Sequence, residues 1–170
     1  MYRVNTSNEG KASEYRRLLG SEIELIRQDL AEPASDQLTI VRFKASQFEN
    51  VIVDDVSLEV EGAEVGVNVR WLLSEIKNLV GRRAEFLCYL GIHRNNQVEI
   101  FRGRCQGQLV EPRGASYGFN PFFLPEGSLK TFGEEIRNDL NPRKHAIDDF
   151  LAGRPWKVAE PLLQWNGDFQ

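Results

Sequence analysis

Apolar and polar residues alternate along the chain with two periods, and each period predicts one kind of element. Short apolar runs predict strands at Tyr2–Asn5, 51–53 and 86–92. The alternation over residues 98–104 predicts a further strand, which would pair with the run before it through a turn at residues 94–96. A hairpin therefore stands in the middle of the predicted sheet.

The segments between these strands show the periodicity of helices. Residues Tyr15, Leu18 and Leu19 recur at helical spacing after the first strand. The stretch 38–48 also predicts a helix, as does the stretch 69–79, which carries an apolar stripe. Because helices and strands are mixed without strict alternation, the pattern predicts an α/β protein with a mixed sheet.

The last predicted helix has recognisable signals at both ends. Asn141 is a favourable N-cap, and Pro142 suits the first helical position. The run Gly153-Arg154-Pro155 would end the helix. We interpret residues 1–170 as a single domain, with a separate tail over 153–170.

Composition narrows the classes of function. The 170 residues are 41% apolar and 27% charged, and the net charge is −4. An acidic chain is a poor general binder of nucleic acid or anionic membrane, so any polyanion must meet a local basic cluster. We see no secretory signal and no apolar run long enough to cross a bilayer, which favours a cytoplasmic protein. Cys88 and Cys105 are expected to be small buried thiols.

The loop at residues 6–11 joins the first strand to the first helix and is a candidate anion site. Backbone N–H groups point outward at a helix N-terminus, and the helix dipole favours negative charge there. Gly10 permits close approach of a ligand, and Lys11 adds a positive charge. The alternative is an ordinary strand–helix turn in which Ser7 or Asn8 caps the helix.

A pair of acids, Asp54 and Asp55, directly follows the apolar run 51–53. At the end of a strand the two side chains would point to opposite faces, and at least one would face a cleft at the sheet edge. Carboxylates of this kind suit Mg²⁺ or Mn²⁺ shared with substrate phosphates. A turn or helix cap explains the same pair equally well.

The segment 114–125 is rich in glycine, proline and aromatic residues. Tyr117 could stack on a nucleobase and Asn120 could contact a base edge, whereas Phe122 and Phe123 suit the core better. The alternative is a packed loop whose aromatic side chains all serve the core.

Four motifs follow one another along the chain: Thr6-x-Asn8-x-x-Lys11, Asp54-Asp55, Pro112-Arg113-Gly114 leading into Gly118-Phe119-Asn120-Pro121, and Lys144-His145-Ala146. In this order they resemble the motifs of the inosine triphosphate pyrophosphatase family. The resemblance covers roughly residues 2–150 and implies a mixed α/β fold of two lobes around a central cleft, usually in a homodimer. It also implies Mg²⁺-dependent hydrolysis of a nucleoside triphosphate to the monophosphate and pyrophosphate.

The resemblance implies a role for each matching residue, and the chemistry agrees, since four cations can balance a triphosphate. The metal is held by the acidic pair Asp54 and Asp55, of which Asp55 is also catalytic. The triphosphate is held by Thr6, Asn8, Lys11, Lys44 and Arg70. The base is contacted by Tyr117, Asn120 (where the family usually has Asp) and Lys144.

This chain departs from the family at two functional positions. Thr39 stands where the family has a metal-binding Glu, and Asp36 is a possible substitute. Asp148-Asp149-Phe150 replaces a Ser-His-Arg run whose His and Arg donate hydrogen bonds to the base. We therefore expect Asp149 to lie at the base, and we expect no strong preference for inosine or xanthosine. Either Asp149 favours a base that presents an amino group, or the pocket is altered.

The final helix of the family is also interrupted here by Gly153 and Pro155. The tail that follows, with Trp156 and Trp165, is expected to pack against the body. Two alternatives to an enzyme stay open: a nucleotide-binding protein that has lost turnover, and a plain interaction module.

Overall fold

The computed structural model describes residues 1–20, 22–63 and 69–170, except the side chains of residues 69–71. The chain forms two compact units. The first unit comprises Met1–Asp55, Tyr89–Arg102 and Ala146–Gln170, and the second comprises Val56–Cys88 and Gly103–His145. The single domain expected from the sequence stays a prediction.

Strands and helices mix along the chain as the pattern predicts. The strands are β1 (Tyr2–Asn5), β2 (Ile23–Ile26), β3 (Ile52–Val60), β4 (Arg83–Arg94), β5 (Gln97–Leu109), β6 (Phe123–Pro125) and β7 (Lys157–Ala159). The helices are α1 (Glu9–Leu19), α2 (Gln37–Ser46), α3 (Val69–Glu75) and α4 (Pro142–Leu151), with 3₁₀ turns at Ile76–Leu79 and Asn120–Phe122.

Within the described residues the strands form one mixed sheet in the order β2-β1-β3-β4-β5-β6, and β7 pairs with β5. Strand β1 runs parallel to both neighbours, with Val4 opposite Leu25 and Ile52. Strand β5 runs antiparallel to β6 and to β7. The predicted mixed α/β fold is confirmed. No helix among the described residues has the length and apolar character needed to cross a membrane.

The predicted turn at residues 94–96 is confirmed and connects two long strands. Asn95 and Asn96 have φ angles of 54° and 57°. Two successive left-handed residues are typical of a type I′ hairpin turn, whose twist matches that of the flanking strands, and Asn tolerates this region best after Gly. Both strands extend beyond the runs that their apolar residues mark.

Two predictions about element ends are wrong. The acids Asp54 and Asp55 do not follow a strand but lie inside β3, which runs on to Val60. The stretch predicted as one helix over 69–79 changes to 3₁₀ geometry after Glu75. The end of α4 before Gly153, at Leu151, agrees with the prediction.

Each unit has its own apolar packing. In the first unit, Val41, Ala45, Val53, Val98 and Ile100 form a buried cluster against which Leu38, Phe48, Tyr89 and Trp156 pack. A Cβ at Gly91 would lie 2.6 Å from Cγ1 of Val41, so α2 lies on β4 at contact distance because this residue has no side chain.

In the second unit, the ring of Phe86 meets Phe119, Phe123 and Phe132 edge-on at 4.8–6.0 Å between centroids. The core role expected of Phe123 is confirmed, and Phe122 is half-buried. Cys88 and Cys105 are buried free thiols, as expected.

Candidate functional site

The loop before α1 is organised by its own side chains. Asn8 is the N-cap of α1, and its Oδ1 accepts a hydrogen bond from the backbone N–H of Lys11 at 3.0 Å. Thr6 Oγ1 accepts from the N–H of Asn8 at 3.1 Å. The capping role is therefore confirmed for Asn8, while phosphate binding by Thr6 and Asn8 stays a prediction.

The carboxylate of Asp54 joins β3 to α1. Its Oδ1 accepts from Nζ of Lys11 at 2.9 Å, and its Oδ2 accepts from the hydroxyl of Tyr15 at 2.8 Å. Lys11 and Tyr15 are four residues apart on α1, so they share one face of the helix. Because Asp54 is buried, these charge-assisted bonds compensate its desolvation and fix the Lys11 ammonium in place.

Helix α2 contacts the same stretch of β3 through its polar side chains. Nζ of Lys44 donates to the carbonyl of Asp54 at 2.8 Å and lies 3.6 Å from Oε1 of Glu32. Nε2 of Gln37 donates to the carbonyl of Asp55 at 2.9 Å. Two helices thus bring two ammonium groups to one pair of acids, as the sequence predicts for Lys11, Lys44, Asp54 and Asp55.

Asp55 is buried like its neighbour Asp54 but differs from it because its carboxylate is incompletely bonded. The residue is only 7% exposed, and its Oδ2 finds no hydrogen-bond partner among the described residues. Burial raises the pKa of Asp55 to about 7; Lys44 and Lys11 lower this pKa, and Glu32 and Asp54 raise it. A buried hard oxygen without a partner next to a second acid fits a divalent cation.

The described residues contain no group of three or more metal-ligating side chains. Asp55 and Glu32 would therefore leave most coordination positions to phosphate and water oxygens. This is the usual arrangement for Mg²⁺, which is bound by one or two carboxylates together with substrate phosphates.

The predicted substitute ligand, Asp36, has a different role in the structure. It is the N-cap of α2, where Oδ1 accepts from the N–H of Thr39 at 2.8 Å and Oδ2 from its hydroxyl at 3.2 Å. Metal binding by Asp36 stays a prediction, and the acid that lies at Lys44 is Glu32. The side chain of Arg70, also predicted to hold phosphate, lies outside the described residues.

The predicted base-binding loop lies in the second unit. Asn120 is 4% exposed, and its Nδ2 donates to the hydroxyl of Ser116 at 3.1 Å. The ring of Tyr117 is half-buried, and its phenol oxygen accepts from Nη1 of Arg143 at 2.9 Å. Arg143 is 2% exposed and precedes the half-buried Lys144 on α4. Sequence reasoning missed Arg143, whose only signal was a position beside Lys144.

A profile of the Ham1 family matches residues 2–153. The chain belongs to the Ham1 family. It is 30% identical over 175 residues to a dITP/XTP pyrophosphatase of Pyrobaculum aerophilum, covering 88% of this chain and 94% of the relative. It is also 30% identical over 176 residues to an inosine triphosphate pyrophosphatase of Yarrowia lipolytica, covering 86% and 93%. The resemblance inferred from the four motifs is thereby confirmed.

The fold agrees with that of another Ham1 protein. The structure of the Staphylococcus aureus Ham1 protein superposes with a TM-score of 0.68 at 22% identity, covering 90% of this chain and 99% of that one. At this identity the superposition shows a shared architecture. Roles of individual residues have to come from the local geometry.

This Ham1 chain uses the end of α4 for packing. Phe150 is buried and meets the rings of Phe101 and Tyr2 edge-on at 5.5 and 5.8 Å. Asp149 is half-buried, and its Oδ1 accepts from Nη2 of Arg154 at 3.0 Å. Asp149 belongs to the first unit, as do Thr6, Asn8, Lys11 and Lys44, for which phosphate binding stays a prediction. Tyr117, Asn120 and Lys144 belong to the second unit.

Proposed function

We propose that this chain is a pyrophosphohydrolase that converts a nucleoside triphosphate to the monophosphate and pyrophosphate. Its Ham1 membership and the names of its relatives support this function. The observation that carries the proposal is the buried, incompletely bonded carboxylate of Asp55 beside two ammonium groups. A carboxylate held in this way can bind a cation or accept a proton from water, which are the tasks that hydrolysis of a phosphoanhydride requires.

We assign Asp55 and Glu32 as the residues that would hold a divalent cation, Mg²⁺ or Mn²⁺. When bound, such a cation neutralises phosphate oxygens and lowers the pKa of water. Lys11 and Lys44 balance the charge of the triphosphate, and Asp54 keeps Lys11 in place. Oδ2 of Asp55 is the atom that would contact the cation or take the proton of the attacking water.

The raised pKa of Asp55 predicts how stability depends on pH in the metal-free protein. The pKa is about 7 in the folded state against an ordinary 3.8, so the folded state binds more protons between these values. Stability from this group is therefore present at low pH and is lost as the pH rises from about 4 to 7. Urea unfolding in EDTA across this range should show a flatter pH dependence for Asp55→Asn than for wild type.

The control for the pH experiment is Glu22→Gln, which neutralises an exposed acid and should keep the wild-type dependence. If the free energy of unfolding depends on pH in the same way for wild type and Asp55→Asn, the raised pKa of Asp55 is contradicted.

We further propose that this chain does not share a strong preference for inosine and xanthosine triphosphates. The family resemblance implies two donors to the base at positions where this chain has Asp149 and Phe150. Asp149 is an acceptor paired with Arg154, and Phe150 packs in the core. An unpaired buried polar group costs about 1–3 kcal/mol, so we expect the preference for inosine over adenosine triphosphate to be about 10- to 100-fold smaller than with the donors present.

A panel of triphosphates, assayed for pyrophosphate release with Mg²⁺ and with Mn²⁺, measures this preference. Asp149→His supplies a donor and should raise kcat/KM for inosine triphosphate relative to adenosine triphosphate, while Asp149→Asn serves as the matched control. Strong preference of the wild type for inosine triphosphate would refute altered selectivity. Binding without pyrophosphate release from any member would identify the nucleotide-binding alternative, which the Thr39 substitution favours.

A further inference from the structure

The tail after α4 runs along α2 as an extended segment. We call residues Trp156–Gln170 the strap. Nε of Arg42 donates to the carbonyl of Glu160 at 2.6 Å, and Nε2 of Gln47 donates to that of Leu163 at 3.2 Å. The hydroxyl of Ser46 accepts from the N–H of Leu162 at 2.8 Å. The expected packing of this segment against the body is confirmed, and polar side chains of α2 and its C-cap residue Gln47 hold residues 160–163 of the strap.

The end of the strap reaches the loop between β2 and α2. The N–H of Ala34 donates to the carbonyl of Asp168 at 2.8 Å, and the N–H of Gln170 donates to the carbonyl of Glu32 at 2.9 Å. Together they form an antiparallel bridge between Pro33 and Phe169. Nε2 of Gln170 adds a bond to the carbonyl of Pro33 at 3.3 Å.

An aromatic contact fixes this bridge to the body. The ring of Phe169 meets the ring of Phe43 edge-on at 5.9 Å between centroids. Phe43 belongs to α2 and lies next to Lys44 in sequence, so the strap and the lysine are held by one helix. The segment around Glu32 is thereby tied to the element that presents the ammonium group.

Glu32 thus has a backbone held by the strap and a side chain directed at the site. Its carboxylate lies 3.6 Å from Nζ of Lys44. We infer that strap residues Phe169 and Gln170 are positioning residues, which place Glu32 beside Asp55 and so set the affinity for the divalent cation. This inference rests on the proposed function, because it requires a cation at Asp55 and Glu32.

A pair of variants at one position separates the backbone bond from the side chain. Gln170→Pro removes the N–H that donates to Glu32 as well as the side-chain amide, whereas Gln170→Ala keeps the N–H. Phe169 is extended in the bridge, which is the conformation favoured before proline. Phe169→Ala is an independent second variant, since it removes the ring contact and leaves the backbone bonds.

The measurement is binding of Mn²⁺ alone to the full chain, followed by the loss of the electron paramagnetic resonance signal of the free ion. Removing a residue that supports a metal ligand typically weakens metal binding 10- to 100-fold. We expect about a tenfold weaker affinity for Gln170→Pro and for Phe169→Ala. Gln170→Ala should lose less Mn²⁺ affinity than these two variants. Leu163→Ala changes an exposed strap residue away from the loop, and its Mn²⁺ affinity should equal that of the wild type.

A double-mutant cycle distinguishes positioning from general loss of structure. In a Glu32→Gln background the strap variants should cause no further loss of Mn²⁺ affinity, because the ligand they place is already gone. The same tenfold loss in that background, or no loss in the wild-type background, would overturn the inference.

The assay of the wild type for pyrophosphate release separates this inference from the proposed function. If the wild type releases pyrophosphate but the strap variants bind Mn²⁺ as tightly as the wild type does, the inference alone is refuted. A wild type that neither binds Mn²⁺ nor releases pyrophosphate refutes both.

Discussion

Replacing Asp55 by asparagine should lower the rate of pyrophosphate release by about 10²–10⁴-fold, the range for loss of a group that transfers a proton. The substitution keeps the size of the side chain but removes the negative charge and the basic oxygen. Lys11 and Lys44 remain, so nucleotide binding should persist. A coupled assay for pyrophosphate gives the rate, and calorimetric titration with a non-hydrolysable triphosphate gives the affinity.

The matched control is Asp139→Asn, which makes the same chemical change at an exposed carboxylate paired with Arg137. It should leave the rate unchanged. An Asp55→Asn variant that retains wild-type turnover would remove Asp55 from the mechanism. Loss of nucleotide affinity in step with turnover would instead assign it a role in binding alone.

Replacing Lys11 by methionine should destabilise the protein by about 3 kcal/mol and also abolish most of its activity. Removing one partner of a buried ion pair leaves an uncompensated charge, which costs about 3–5 kcal/mol. The lower end applies because the Lys11 side chain is 19% exposed while that of Asp54 is 4% exposed. The free energy of unfolding in urea measures the loss.

The double variant Lys11→Met/Asp54→Asn should recover most of the stability, because both charges are gone, but it should not recover activity. The control is Arg3→Met, which breaks an exposed pair with Glu24 and should cost less than about 1 kcal/mol. Additive losses of stability in the double variant would show that Lys11 and Asp54 do not act as a pair.

Local chemistry explains which elements the sequence could predict. Asn8 caps α1 through a bond to a residue three positions away, and Asn95-Asn96 forms a turn with its own backbone angles. These interactions depend on neighbours in sequence, so the residue types alone indicate them. The family motifs added Lys11, Lys44, Asp54 and Asp55, which the structure brings together.

The errors come from interactions between distant residues. A short apolar run followed by two acids resembles the end of a strand, yet β3 continues because Lys11, Tyr15 and Lys44 satisfy Asp54 from two helices. Glu32 lies in an irregular stretch with no periodic pattern. Its carbonyl accepts a hydrogen bond from the N–H of Gln170, more than a hundred residues away in sequence. Neither the sequence around Glu32 nor that of the strap indicates that the two segments meet.

The chain passes between the two units at four points, between residues 55 and 56, 88 and 89, 102 and 103, and 145 and 146. Neither unit is therefore a continuous segment that could be expressed as a fragment. During synthesis, every residue of the second unit emerges before residue 146, whereas the first unit is complete only when the strap has also been made. The loop that carries Glu32 is made early but gains its backbone bonds to Asp168 and Gln170 only when residues 168–170 have been synthesised. The unit that carries Asp55 and Glu32 can consequently close only after residues 168–170 have been made, more than a hundred residues after Glu32 itself.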